Sequence, residues 1–170
     1  QGNGTEIEGA NSSVYTLQSA DTSQNGSYFY CVVSDGTDTK ESSRAKLTVY
    51  WAPTVTDPSP VYAGLGKSAT FRVTASGGNP AQYTYQWYYY PSRNSGQKVK
   101  VAGATAASYT IPSVTEDMDG RFYCCAVSNG VYEVMSEHAV RLVVKLKQTI
   151  KASSCSKAIG SSSYLNARAN

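Results

Sequence analysis

The sequence predicts an all-β protein built of tandem antiparallel two-sheet sandwiches, one complete and two truncated. Three observations predict it. The stretch Asp119-Gly120-Arg121-Phe122-Tyr123-Cys124-Cys125-Ala126-Val127-Ser128 alternates with period two, so Tyr123, Cys125 and Val127 share one face and Phe122, Cys124 and Ala126 the other. Residues 9–17 run in step with 103–111, and 25–34 with 119–128, at a constant separation of 94: Gly9 with Gly103, Tyr15 with Tyr109, Gly26 with Gly120, Cys31 with Cys125. A sandwich module takes about 100 residues, so the period fits one module per repeat. The composition agrees. Tyr is abundant (14), Phe scarce (3), and Ser, Thr and Gly are frequent, a mixture of strand and turn residues.

In chain order, residues 1–50 are expected to hold the later half of a module, with Val14 to Leu17, Ser27 to Ser34 and Ala45 to Tyr50 as its last three strands. Residues 51–145 read as a complete module. Trp51-Ala52-Pro53 is a short, stiff junction. Asp57-Pro58-Ser59-Pro60 breaks the first strand. Ala69, Phe71, Val73 and Ala75 alternate with Thr70, Arg72 and Thr74, the pattern of a half-buried strand. Gly77-Gly78-Asn79-Pro80 turns the chain. Tyr83 to Tyr90 follows, with Tyr85 and Trp87 on one face and Gln86, Tyr88 and Tyr90 on the other. Tyr109, Ile111 and Val114 mark the next strand and its exit. Asn129-Gly130 favours a tight hairpin turn with positive φ, and Val140, Leu142 and Val144 form the closing strand. Residues 146–170 repeat the pattern faintly, with Gly160 lying 94 after Gly66, and are expected to begin a third module. Half-modules on both sides imply a segment of a longer array.

These phrases carry a resemblance. Asp119, Tyr123 and Cys125 have the spacing of the tyrosine corner and inward cysteine of an immunoglobulin-type sandwich. Together with Ala69 to Gly77, Tyr85-Gln86-Trp87-Tyr88 and Val101 to Ile111, the complete module resembles the immunoglobulin-like repeats of bacterial cell-surface and secreted proteins. The resemblance covers about 53–145 in full and 5–50 in part. It implies an extracellular location, secreted or at the cell surface. Antibody-type domains bond the cysteine equivalent to Cys125 to a second cysteine, and here that position is Val73. The expected core is therefore Trp87 packed with Val73, Cys125, Phe71, Tyr123 and Leu142, without a sulfur bridge. Cys125 and Cys31 are both expected to be reduced, buried and inert.

The chemistry-bearing residues are sparse. No catalytic residue and no cofactor site is expected. The only histidine, His138, stands alone before the closing strand, which leaves no partner for a nucleophilic triad. No CxxC pair is present, so no metal site is expected among Cys31, Cys124, Cys125 and Cys155. Glu116, Asp117 and Asp119 hint at a calcium loop but lack its later Glu ligand. Asp119 is expected instead to order the corner before the 122–128 strand through backbone amides or an Arg. Cys124 should point away from the core, as a neutral replacement on a solvated strand or as a partly exposed thiol that pairs between chains; for Cys155 too the sequence leaves pairing between chains open. Asn3, Asn11 and Asn25 head Asn-x-Ser/Thr triplets, which are polar loop residues in a bacterial protein.

The candidate binding face is the outer surface of the sheet carrying Tyr88, Tyr90, Phe122 and Gln86, with Tyr132 beside them. Exposed aromatics on a flat sheet bind protein or stack on sugar rings. The formal charge of +3 is scattered, so no nucleic acid partner is expected. No apolar run approaches the roughly 20 residues that span a bilayer. The expected function is a non-enzymatic structural stalk or adhesion module of a bacterial surface protein. Alternatives are recognition of a host protein or glycan through the aromatic face, and an accessory region of a secreted multidomain enzyme. Neighbouring repeats of the same chain are expected partners.

Overall fold

The structure, a computed structural model, describes residues 4–146. The proposed third module, Cys155 and Asn3 lie outside the described residues. The chain falls into two compact units, Gln1–Trp51 and Ala52–Asn170.

The first unit holds four short strands: β1 (Tyr28–Phe29), β2 (Val32–Ser34), β3 (Thr39–Glu41) and β4 (Ala45–Lys46). β1 pairs with β4 and β2 with β3, both antiparallel. Asp35 shapes the β2–β3 turn, its Oδ1 accepting from the Thr37 and Asp38 amides at 2.9 and 2.8 Å. Three expectations fail here. Val14 to Leu17 forms no strand, and Val14 is largely exposed. Ser27 to Ser34 is broken in two, and Ala45 to Tyr50 shrinks to two residues. An extended segment becomes a strand only where a neighbouring backbone completes its ladder. Among the described residues of this unit, each strand has one neighbour.

The second unit stacks two layers of strands, antiparallel apart from one parallel pair. One sheet has the order β10 (Val99–Lys100), β9 (Thr84–Tyr90), β12 (Phe122–Ser128), β14 (Val140–Lys145), β6 (Val61–Gly64), and β13 (Glu133–Met135) adds to β12. The second layer consists of β11 (Ser108–Ile111) on β7 (Ala69–Arg72), and β5 (Thr54–Val55) on β8 (Ala75–Ser76). Asp57 to Pro60 carries the chain from one layer to the other. Before it, β5 pairs with β8; after it, β6 runs parallel to β14. Prolines suit this crossing, because neither Pro58 nor Pro60 has an amide to leave unpaired.

The seven-residue ladder between β9 and β12 places Trp87 opposite Cys125, Tyr89 opposite Tyr123 and Tyr85 opposite Val127. Their side chains enter the space between the layers. Trp87, Cys125, Val127 and Leu142 are fully buried, and Phe71, Val73, Ile111 and Tyr123 nearly so. The rings of Phe71 and Tyr123 stack at 4.4 Å, and Trp87 lies 6.2 Å from both Phe71 and Tyr109. Offset and tilted aromatic pairs at such distances add to the stabilisation from burial. The Trp87 indole donates from Nε1 to the Ala106 carbonyl at 2.8 Å, so its one polar atom is satisfied.

Candidate functional site

The outer face of the larger sheet is built by alternation. Residues of β9 and β12 that do not enter the core must project from this side: Gln86, Tyr88 and Tyr90 from β9, and Phe122, Cys124 and Ala126 from β12. Register sets Tyr88 beside Cys124 and Tyr90 beside Phe122. Tyr88, Tyr90, Phe122 and Gln86 are all half-buried, so the face is not the open aromatic patch the sequence suggests.

Neighbours account for this. The Lys98 ammonium lies 4.6 Å above the Tyr88 ring and donates to the Met135 sulfur at 2.9 Å. The charged end of a long basic side chain thus covers the aromatic ring in a cation–π contact. Gln86 is committed internally. Its Nε2 donates to the Trp87 and Val101 carbonyls at 2.9 and 2.8 Å, tying β9 to the segment that crosses toward β11. Its polar end is a seam rather than a contact for a ligand.

Cys124 requires a correction. It points away from the core, yet it is only 2% exposed. Burial pushes its thiol pKa up, and the nearby Lys98 charge works against that shift. Pairing between chains is not open to a thiol so enclosed. Cys31 requires the opposite correction, since it is an exposed free thiol. Cys125 is buried, and burial pushes its thiol up to about 11, so it stays protonated and unreactive at neutral pH. Burial likewise pushes the Tyr123 hydroxyl up to about 12.

The acidic group before β12 serves the fold. Asp119 accepts from the Val144 amide at 2.8 Å and faces Arg141 at 3.5 Å. Asp117 takes the Thr115 hydroxyl and pairs with Arg121, whose guanidinium also covers the Tyr89 ring at 4.8 Å. Among the described residues, no three His, Cys, Asp or Glu side chains gather closely enough to hold a metal ion.

His138 is exposed, but it is not alone. Its amide donates to Asp57 Oδ1 at 2.9 Å and its Nδ1 lies 2.8 Å from Asp57 Oδ2. The bond to Asp57 raises the imidazole pKa, and the His138 amide lowers that of Asp57. The pair joins the β13–β14 turn to the crossing before β6. Its residues are 81 apart in sequence, and no local pattern links them.

Residues 52–129 match the family model of the immunoglobulin domain. None of the curated proteins matches the chain. Solved structures that resemble it include the N-terminal four immunoglobulin domains of Dscam1 isoform 6.9, at 22% identity and a TM-score of 0.47, covering 68% of this chain and 26% of that one. A chimeric titin Z1Z2 shares 28% identity with a TM-score of 0.44, covering 59% of this chain and all of that one. A complex of Dpr2 with DIP-Theta gives 22% identity and a TM-score of 0.45, covering 74% of this chain and 42% of that one. The present chain thus spans about a quarter of the length of the Dscam1 structure. No helix among the described residues is long and apolar enough to cross a membrane. The two-layer topology of the second unit and the match over residues 52–129 make this module an immunoglobulin-like sandwich.

Proposed function

We propose that the chain is a non-enzymatic extracellular segment of tandem immunoglobulin-like modules, acting as a stalk or adhesive spacer of a surface protein. The observation that carries this reading is the recurrence of the same local wiring after 94 residues, or 95 for the Val49 and Val144 amides. Asn25 Oδ1 accepts the Val49 amide at 3.0 Å, as Asp119 Oδ1 accepts that of Val144 at 2.8 Å. Ser42 Oγ accepts the Cys31 amide at 2.9 Å, as Ser136 Oγ accepts that of Cys125 at 3.2 Å. A unit copied along a chain supplies length and spacing. The module boundaries at residues 51 and 145, the third module over 146–170 and the bacterial surface setting belong to this proposal and rest on the sequence phrases quoted above.

A second reading is recognition of a host protein or glycan through the face of Tyr88, Tyr90 and Phe122. The lysine-roofed Tyr88 favours it, because a cation and a ring edge offered together suit a polar ligand. Glycan and extracellular-protein arrays probed with the intact chain separate the two. The stalk reading expects no saturable binding. Saturable binding that disappears in the Tyr88→Ser, Tyr90→Ser double variant overturns it in favour of recognition. A hydrolase domain elsewhere in the full-length reading frame would support the accessory-region alternative.

A further inference from the structure

The smaller layer of the complete module is open along one edge. β11 pairs with β7, and no strand covers its other side among the described residues. The phase of its backbone follows from one bond. The Val73 amide donates to the Ala107 carbonyl at 3.0 Å, so Ala107, Tyr109 and Ile111 turn their backbone groups toward β7. Ser108 and Thr110 must turn theirs outward. The Thr70 and Thr110 hydroxyls meet at 2.9 Å, as expected where a non-bonded pair brings side chains together.

A shallow groove of about 320 Å³ follows this edge, lined by Tyr109 and otherwise by small residues, Ala102, Gly103, Thr105, Ser108 and Thr110 among them. Beside Tyr109 another backbone can therefore come close. The stretch Val101 to Val114 contains no charged residue. Exposed strand edges are ordinarily guarded by charges, prolines or bulges, because an unguarded edge recruits strands. Here no charge guards β11, and its only nearby proline, Pro112, lies beyond the strand.

We infer that β11 is a docking edge for β11 of a second copy of this chain, paired antiparallel about a two-fold axis at Tyr109. The edge is complementary to itself. Its free N–H and C=O groups sit two residues apart, so Ser108 of one copy falls opposite Thr110 of the other, and four backbone hydrogen bonds close. Charge selects the occupant. Two copies carry like net charge, and they meet with least repulsion along this neutral stretch. A charged peptide finds no counter-charge in the groove. The ladder is short, so the association is weak and concentration-dependent.

Amide hydrogen exchange on the intact chain tests this directly. The Ser108 and Thr110 amides exchange freely in dilute solution and become protected as concentration rises, whereas the Tyr109 amide is protected throughout. Sedimentation shows the weight-average mass climbing toward twice that of the single chain. The Ser108→Lys, Thr110→Lys variant sets like charges across the axis and abolishes the rise. The Ser108→Lys, Thr110→Glu variant sets opposite charges across it and restores the rise. A wild-type chain that sediments as a single chain up to about 1 mM overturns the inference. So does association without protection of the two amides, or identical behaviour of the two double variants.

Discussion

Residues 25–49 and 119–144 carry the same local bonds and reach opposite degrees of burial. Gly26 donates to the Leu47 carbonyl and Gly120 to that of Leu142, at 2.9 and 3.0 Å. The two hairpin turns match as well: the Asp35 amide donates to the Asp38 carbonyl and the Asn129 amide to that of Tyr132, each with a glycine of positive φ in second place, Gly36 or Gly130. Yet Cys125 is fully buried and Cys31 is exposed; Val127 is 0% exposed and Val33 65%. The corner and the hairpin need only their own residues, so they form in both places. Burial needs an opposing layer. In the second unit β7 and β11 provide it, through Phe71, Tyr109 and Ile111.

Removing the centre of that layer contact should produce the largest effect. Trp87→Ala takes away a fully buried ring and its bond to Ala106, and is expected to cost about 3–5 kcal/mol, much of the stability of an ordinary domain. Denaturant unfolding followed by circular dichroism measures it. Trp87→Phe keeps most of the volume and loses the indole bond, for a smaller loss of about 1–3 kcal/mol. A Trp87→Ala loss below about 1 kcal/mol would mean that the two layers do not depend on this ring.

A paired substitution sharpens the comparison. Ser136→Ala strips the buried Cys125 amide of its side-chain acceptor, with an expected cost of about 1–3 kcal/mol. Ser42→Ala removes the equivalent bond to the exposed Cys31 amide, which water replaces, so only a few tenths of a kcal/mol should be lost. The two unfolding midpoints decide it. Equal shifts would show that the bonds, and not the burial around them, set the cost.

The same contrast separates what the sequence discloses from what it conceals. The β character, the sandwich and the Asp119-centred corner before β12 are legible because strand alternation, turn chemistry and the spacing of Asp119 from the strand are local. The surroundings of Cys124 are not. Alternation says which way the thiol points, but not that Tyr88 stands opposite it on β9 or that the Lys98 charge acts on it from outside β12. Gln86 reads as a polar face residue until its amide is seen bonded to Val101. Cys31 shares its sequence frame with Cys125, and nothing local reports that no opposing layer covers it among the described residues of its unit. Val14 to Leu17 repeats the strand pattern of Ser108 to Ile111 without a β7 to pair with.

The smallest expected effect concerns the link no local pattern reveals, and its sign can be worked out. The imidazole pKa of His138 is raised by Asp57, so its contribution is full below its ordinary value of 6.5 and is lost as pH rises through the folded value above that. The carboxyl pKa of Asp57 is lowered, so its contribution holds above its ordinary 3.8 and is lost as pH falls through the folded value below that. The pair therefore stabilises most between the two. Both groups are solvent-exposed, so the effect is small and weakens with salt. Asp57→Asn isolates the charge, because the new side-chain oxygen can still accept the His138 amide. The wild-type unfolding midpoint should fall slightly between about pH 6 and pH 8, and the variant's should stay level, since His138 is the only histidine in the chain. The same fall in both proteins would detach the pH response from this pair and leave only the bond from the His138 amide to hold the β13–β14 turn against the crossing.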